Sequence, residues 1–167
     1  MKNLVIGQSG GPTAVINASL YGAVKAFRES GADGHVLGMI NGIEGFLADH
    51  VMDLSTDLSD KELELLKLTP AAYLGSCRYK LPADLDSEVY PAIFDNFREM
   101  NIGYFLYVGG NDSMDTVDKL SRYAEKIGSD VKFIGIPKTI DNDLVLTDHT
   151  PGFGSAAKYV ASTVREI

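Results

Sequence analysis

The chain has 167 residues, 45% of them hydrophobic and 23% charged, and a formal net charge of -8. That composition suits one globular domain with a real core and excludes a disordered segment. The acidic balance argues against nucleic acid or an anionic membrane as the main partner, because both demand a basic face.

An anionic ligand would need local cations, backbone N–H groups or a metal to reverse this field. The single Cys77 excludes an internal disulfide and fits a reducing compartment. Met1-Lys2-Asn3-Leu4-Val5-Ile6-Gly7 is too short an apolar run for a signal peptide. No later stretch is long enough to span a bilayer, so a cytoplasmic location is expected.

Residues 4–6 read as a short strand, followed at once by Gly7-Gln8-Ser9-Gly10-Gly11-Pro12-Thr13 and a helical pattern over about 14–27. Glycines there let the backbone approach a ligand closely, and the free N–H groups at the helix start favour an anion. The spacing differs from the dinucleotide fingerprint G-x-G-x-x-G, and no acidic residue sits where a ribose contact is expected. It reads as a phosphate turn; a plain tight strand-to-helix turn has the same composition.

Gly31 closes that helix, and residues 34–40 supply a second strand. Asn41-Gly42 and Gly45 then loosen the chain. Within 49–68 only a helix is expected, from the capping-box pattern Ser59-Asp60-Lys61-Glu62 ahead of Leu63, Leu65, Leu66 and Leu68. In Tyr73-Leu74-Gly75-Ser76-Cys77-Arg78-Tyr79-Lys80, two cations follow a Gly-Ser turn beside aromatics. Arg78 can fork onto phosphate oxygens and Lys80 is a mobile point charge. The plainer reading is solvated surface cations with a buried Cys77. Pro91, at a first helical position, opens a helix to about residue 100.

Residues 104–108 form the clearest central strand, apolar on both faces, and run into Gly109-Gly110-Asn111-Asp112-Ser113 and a helix through Leu120 to about Ile127. Residues 131–136 repeat the arrangement as a buried strand that meets Pro137-Lys138-Thr139-Ile140-Asp141-Asn142-Asp143. At the carboxyl end of a strand in an open parallel sheet, this concentration of cation, hydroxyl, amide and carboxylates is placed for chemistry. The same residue types also make an ordinary solvated turn. Thr150-Pro151-Gly152-Phe153-Gly154-Ser155 leads into a last helix over 156–166.

Strands alternating with helices predict an α/β fold: a doubly wound, mostly parallel sheet with helices on both faces. The turns at Gly10, Gly109 and Pro137 would then share one edge and face one crevice. Their contents suit phosphoryl transfer, which needs positive charge around the moving group, a metal site and a carboxylate to position the attacking hydroxyl.

At Gly109-Gly110-Asn111-Asp112-Ser113 and Pro137-Lys138-Thr139-Ile140-Asp141-Asn142-Asp143 the chain resembles the phosphofructokinases, and within them the pyrophosphate-dependent branch. Gly10-Gly11, Leu74-Gly75-Ser76-Cys77-Arg78-Tyr79 and Thr150-Pro151-Gly152-Phe153-Gly154-Ser155 extend the likeness, in family order, over almost the whole chain. The resemblance implies a Rossmann-like N-terminal domain and transfer of a phosphoryl group to the 1-hydroxyl of fructose 6-phosphate in glycolysis, with Mg²⁺ as cofactor. It implies a catalytic set of Asp141 as base with Thr139 and Lys138. Thr139, Asp141 and Asp143 would meet the sugar, and Gly11, Arg78, Gly110, Asp112, Ser113 and Lys138 would hold the donor. Asn111 and Asp143 are the implied metal ligands. Asn111 stands where the family usually has an aspartate, and its amide oxygen would bring the metal no charge.

Two positions bear on the donor. Nucleotide-using members of the family have glycine where this chain has Asp112 and Lys138. A carboxylate at Asp112 would occupy the space of a nucleotide's α-phosphate and repel it, and Lys138 offers a compact cation to a small, highly charged pyrophosphate. Pyrophosphate is therefore the expected donor, with ATP as the alternative. Complete family members are far longer, and their later Met-Gly-Arg element, with the cations that grip the sugar phosphate, has no counterpart here. Residues 1–167 are accordingly expected to be the donor-binding N-terminal domain of a homo-oligomeric enzyme, with the alternative that the piece binds donor without turnover. Neither nucleic acid nor membrane is an expected partner.

Overall fold

The computed structural model describes residues 2–167. Strand β1 (Asn3–Gln8) is apolar on both faces because helices cover both: Leu4 and Ile6 pack on one side and Val5 on the other. Strand β4 (Ile102–Gly109) does the same, sending Leu106 and Val108 one way and Phe105 and Tyr107 the other. Such two-sided burial is what a parallel strand between helical layers requires. β2 (Val36–Met39) and β4 flank β1 in parallel register, and β5 (Lys132–Pro137) lies parallel to β4. β3 (Val51–Asp53) runs antiparallel beside β2, completing the order β3-β2-β1-β4-β5.

One face of the sheet is closed by α1 (Ala14–Glu29), α3 (Asp60–Leu65) and the 3-10 turn Leu66–Leu68. The other is closed by α2 (Gly42–Leu47), α4 (Val89–Glu99) and α5 (Asn111–Ile127). The second layer is strongly aromatic. Phe97 and Phe105 have ring centroids 5.6 Å apart, Phe105 and Phe133 5.5 Å, and Phe94 meets Tyr123 edge-on at 5.0 Å. Such pairs contribute about 0.5–1.5 kcal/mol each beyond area burial. They lock β4 and β5 to α4 and α5, which fixes where the carboxyl ends of those strands lie. The doubly wound sheet expected from the alternation of elements is present.

Local expectations fared unevenly. Residues 49–68 are not helix alone: β3 occupies the start, and α3 follows only after a turn. The three-residue strand is too short to show a period, and its pairing with β2 is a tertiary effect. The capping box does form, with the Ser59 hydroxyl accepting from the Glu62 N–H and the Glu62 carboxylate accepting from the Ser59 N–H at 2.9 Å. Asn41-Gly42 and Gly45 build α2 rather than a loose connection, with Asn41 in the left-handed region at φ 59°. Gly45 is there for space, since a Cβ would sit 1.5 Å from the Ile40 carbonyl oxygen. Gly45→Ala is expected to cost about 3 kcal/mol. Urea denaturation checks this, and an unchanged midpoint would show that α2 shifts freely. Pro91 is the third residue of α4 and not the first; the N–H that proline lacks is, in this first turn, one that no carbonyl of the helix would accept.

β5 was expected to be buried; it is instead the outer strand, with Lys132 exposed and Ile134 51% exposed. The reason lies in α6 (Phe153–Glu166), which has no buried residue and leaves this end of the sheet open on the α1 side. Apolar content cannot distinguish a central strand from an edge strand. No helix of the described residues is long and apolar enough to cross a membrane.

Candidate functional site

The turns that follow β1, β4 and β5 emerge at one edge of the sheet, where parallel strands present their carboxyl ends. They enclose two adjoining hollows. The first, of about 400 Å³, is lined by Gly10, Gly11, Arg78, the Gly110 to Ser113 turn and Lys138. The second, of about 240 Å³, shares Gly11, Gly110, Asn111 and Lys138 with it and adds Thr139, Asp141 and Asp143. The residues expected to hold donor, sugar and metal therefore stand around one continuous crevice, while Lys80 and residues 150–155 line neither hollow. Lys138 forms the wall between its two parts.

Each turn has a local cause. The Gly109 turn is tight because Ser113 folds back beneath it: its N–H donates to the Gly110 carbonyl at 2.9 Å, and a Cβ on Gly109 would lie 2.0 Å from the Ser113 Oγ. Helix α5 begins at Asn111, so its unpaired N–H groups open toward the crevice and favour an anion. The Gly10 turn is tied to the strand-less segment that carries Arg78. Gly10 N–H and Ser9 Oγ both donate to the Cys77 carbonyl at 3.2 Å, and Ser76 Oγ donates to the Gly10 carbonyl at 2.6 Å. Cys77 is buried, while Arg78 is exposed on the crevice side.

A buried amide pair beneath these turns had no sequence signal pointing to function. Gln8 and Asn17 are fully buried, and Gln8 Nε2 donates to Asn17 Oδ1 at 2.9 Å. Gln8 Oε1 accepts from the Leu74 N–H, Asn17 Oδ1 accepts from the Tyr73 N–H, and Asn17 Nδ2 donates to the Thr69 and Ala71 carbonyls. Buried polar groups are costly unless satisfied, and here the satisfaction joins β1, α1 and the 69–75 segment into one support for Arg78. The only hint in the sequence is two amides at positions that the strand and helix periods place inward.

Electrostatics divides the crevice. Lys138 is 7% exposed, its Nζ lies 3.5 Å from where a side chain on Gly10 would begin, and among the described residues no carboxylate is within ion-pair reach of it. Burial, and then the nearby Arg78 cation, lower its pKa from the ordinary lysine value. A desolvated ammonium without a protein counter-ion favours an anionic partner. Lys80 pairs with Asp112 across the mouth at 3.2 Å, but both are largely exposed and such a pair contributes little.

At the other end, the Thr139 hydroxyl and the Asn111 amide hold Asp143 below the usual carboxylate pKa. Asn111 Nδ2 lies 3.4 Å from Asp143 Oδ2. Thr139 Oγ1 also accepts from the Asp141 N–H at 3.1 Å. No hydrogen bond among the described residues engages the Asp141 carboxylate, which stands exposed. No group of three His, Cys, Asp or Glu converges among the described residues, so no all-protein metal cage exists here. The pair Asn111 and Asp143 fits a hard divalent cation that draws its remaining ligands from substrate phosphates and water.

Residues 3–167 match the family described as Phosphofructokinase. The chain belongs to that family. A Halomonas elongata phosphofructokinase relative named pyrophosphate–fructose 6-phosphate 1-phosphotransferase is 46% identical over 167 residues, covering 98% of this chain and 39% of the relative. A solved pyrophosphate-dependent phosphofructokinase from Nitrosospira multiformis superposes with a TM-score of 0.91 at 43% identity, covering 99% of this chain and 40% of that one. A sulfofructose kinase from Alkalicoccus urumqiensis is 40% identical over 162 residues, 97% of this chain and 40% of its own. The chain thus spans about two fifths of the length of these phosphofructokinase relatives.

Proposed function

We propose that the protein to which these residues belong transfers a phosphoryl group from pyrophosphate to the 1-hydroxyl of fructose 6-phosphate, giving fructose 1,6-bisphosphate and phosphate. Residues 1–167 supply its donor-binding domain, and the acceptor's phosphate is held by parts of the protein outside them. The observation that carries this reading is Lys138, a nearly buried ammonium with no protein counter-ion at the junction of both hollows. The name of the Halomonas elongata relative supports it.

The donor sits on the Gly11 backbone and the α5 N-terminus, with Arg78 and Lys138 opposing its charge. The acceptor hydroxyl lies toward Asp141, whose carboxylate takes the proton as the hydroxyl oxygen forms its bond to phosphorus. The bond from that phosphorus to the bridging oxygen breaks, and phosphate leaves along the Lys138 side. For this role the Asp141 carboxylate must come within hydrogen-bond reach of the acceptor hydroxyl. Asn111 and Asp143 would hold Mg²⁺, which when bound neutralises charge on the donor phosphates. Thr139 keeps Asp143 ionised and fixes the backbone of Asp141. Association of the complete enzyme into a homo-oligomer, active in the cytoplasm, completes the proposal.

Titration calorimetry on the complete protein with Mg²⁺ tests the donor directly: pyrophosphate should bind and ATP should not. A pH profile gives a second handle. Because its pKa is lowered, Lys138 loses its charge at lower pH than a solvated lysine would. The kcat/KM for pyrophosphate should therefore fall on the alkaline side below the usual lysine range. Lys138→Arg keeps its charge throughout and should remove that limb. A limb unchanged in the arginine variant would assign the titration to another group.

A further inference from the structure

The segment that carries Asp141 is held by a residue with no role in the proposed chemistry. Asn142 stands between Asp141 and Asp143 with φ 55°, in the left-handed region that non-glycine side chains seldom adopt. Its side chain both accepts and donates across the loop. Asn142 Oδ1 accepts from the Thr150 N–H at 3.0 Å, and Nδ2 donates to the Asp148 carbonyl at 3.2 Å. One turn below, the Thr139 N–H donates to the Pro151 carbonyl at 2.9 Å. These contacts close residues 139–151 into a loop whose base is fixed while Val145 and Leu146 extend into solvent.

Resting on the reading of Asp141 as base, we infer that Asn142 is a positioning residue that sets the aim of the Asp141 carboxylate. The argument is one of constraint. Asp141 is exposed, and no hydrogen bond among the described residues holds its carboxylate, so packing does not orient it. Its backbone is fixed by the Thr139 hydroxyl on one side and by the conformation of Asn142 on the other. The left-handed residue reverses the chain between the two carboxylates, so Asp143 turns toward Asn111 while Asp141 is left free to meet an acceptor. An asparagine suits this place because its short amide tolerates the conformation and bridges the loop at once. Most of the loop is exposed, although Asn142 is half-buried and Thr150 buried, so a double-mutant cycle is needed to separate lost aim from lost folding.

The test is a double-mutant cycle in the complete protein, combining Asn142→Gly with Asp141→Asn. Glycine keeps the left-handed backbone and removes both side-chain bonds, so Asn142→Gly should lower kcat by about tenfold to a hundredfold, the cost of misplacing a reacting group. The KM for pyrophosphate should stay near its wild-type value. In the Asp141→Asn background the same change should have almost no further effect, because a residue acting through Asp141 has nothing left to aim. Asn142→Asp, which retains the bond from Thr150 N–H, should recover part of the loss. Equal losses in both backgrounds, or an unchanged kcat, would overturn the inference and leave Asn142 a loop residue. If the wild type makes no product, or Asp141→Asn is fully active, the reading of the site fails instead and takes this inference with it.

Discussion

Asp141→Asn in the complete enzyme should lower turnover by about three orders of magnitude, within the range that a positioned general base contributes, while pyrophosphate affinity stays nearly unchanged. The substitution is close to isosteric and removes the negative charge together with the ability to take a proton. The carboxylate makes no hydrogen bond to other described residues, so its loss leaves no buried group unpaired and the fold should be intact. Steady-state kinetics with separate determination of kcat and the donor KM checks this. Parallel losses in binding and rate would make Asp141 a donor or metal ligand, and the base would have to be sought elsewhere on the crevice wall.

The second large effect concerns which donor is accepted. The double variant Asp112→Gly, Lys138→Gly should lose about a hundredfold in kcat/KM for pyrophosphate, the value of one charge-assisted contact in a partly desolvated site, and gain measurable turnover with ATP. The geometry explains why both changes are needed. Asp112 stands at the mouth of the larger hollow, only loosely countered by Lys80, where its carboxylate would oppose an α-phosphate. Lys138 stands at the inner wall, nearly buried, where its ammonium would meet the leaving end of a compact donor. Removing the first opens space, and removing the second withdraws the charge that rewards the smaller ligand. If the variant loses pyrophosphate activity without gaining any with ATP, these positions hold the donor without selecting it.

How much of this was legible in the chain depends on the range of the interaction involved. The sheet and its covered faces follow from apolar runs alternating with helical patterns, and the polar turns after β1, β4 and β5 follow from where parallel strands end. Residues as far apart as Gly11, Arg78, Asp112 and Asp141 line one crevice because that topology leaves their turns a single edge to share. What escaped was decided by contacts remote in sequence. β3 exists because β2 pairs with it, and α2 forms at glycines that propensity would exclude because Gly45 must clear a carbonyl. β5 has the apolar content of a central strand but lies at the edge, which no local pattern records. The amide pair Gln8 and Asn17 and the bridging role of Asn142 are likewise invisible until the segments they join are in place.

The most direct test is the yield of fructose 1,6-bisphosphate from the complete protein, given fructose 6-phosphate and Mg²⁺ with either pyrophosphate or ATP. The structure leads us to expect product with pyrophosphate and essentially none with ATP. Comparable product from ATP would contradict the assignment of Asp112 and Lys138 as selectors of the donor.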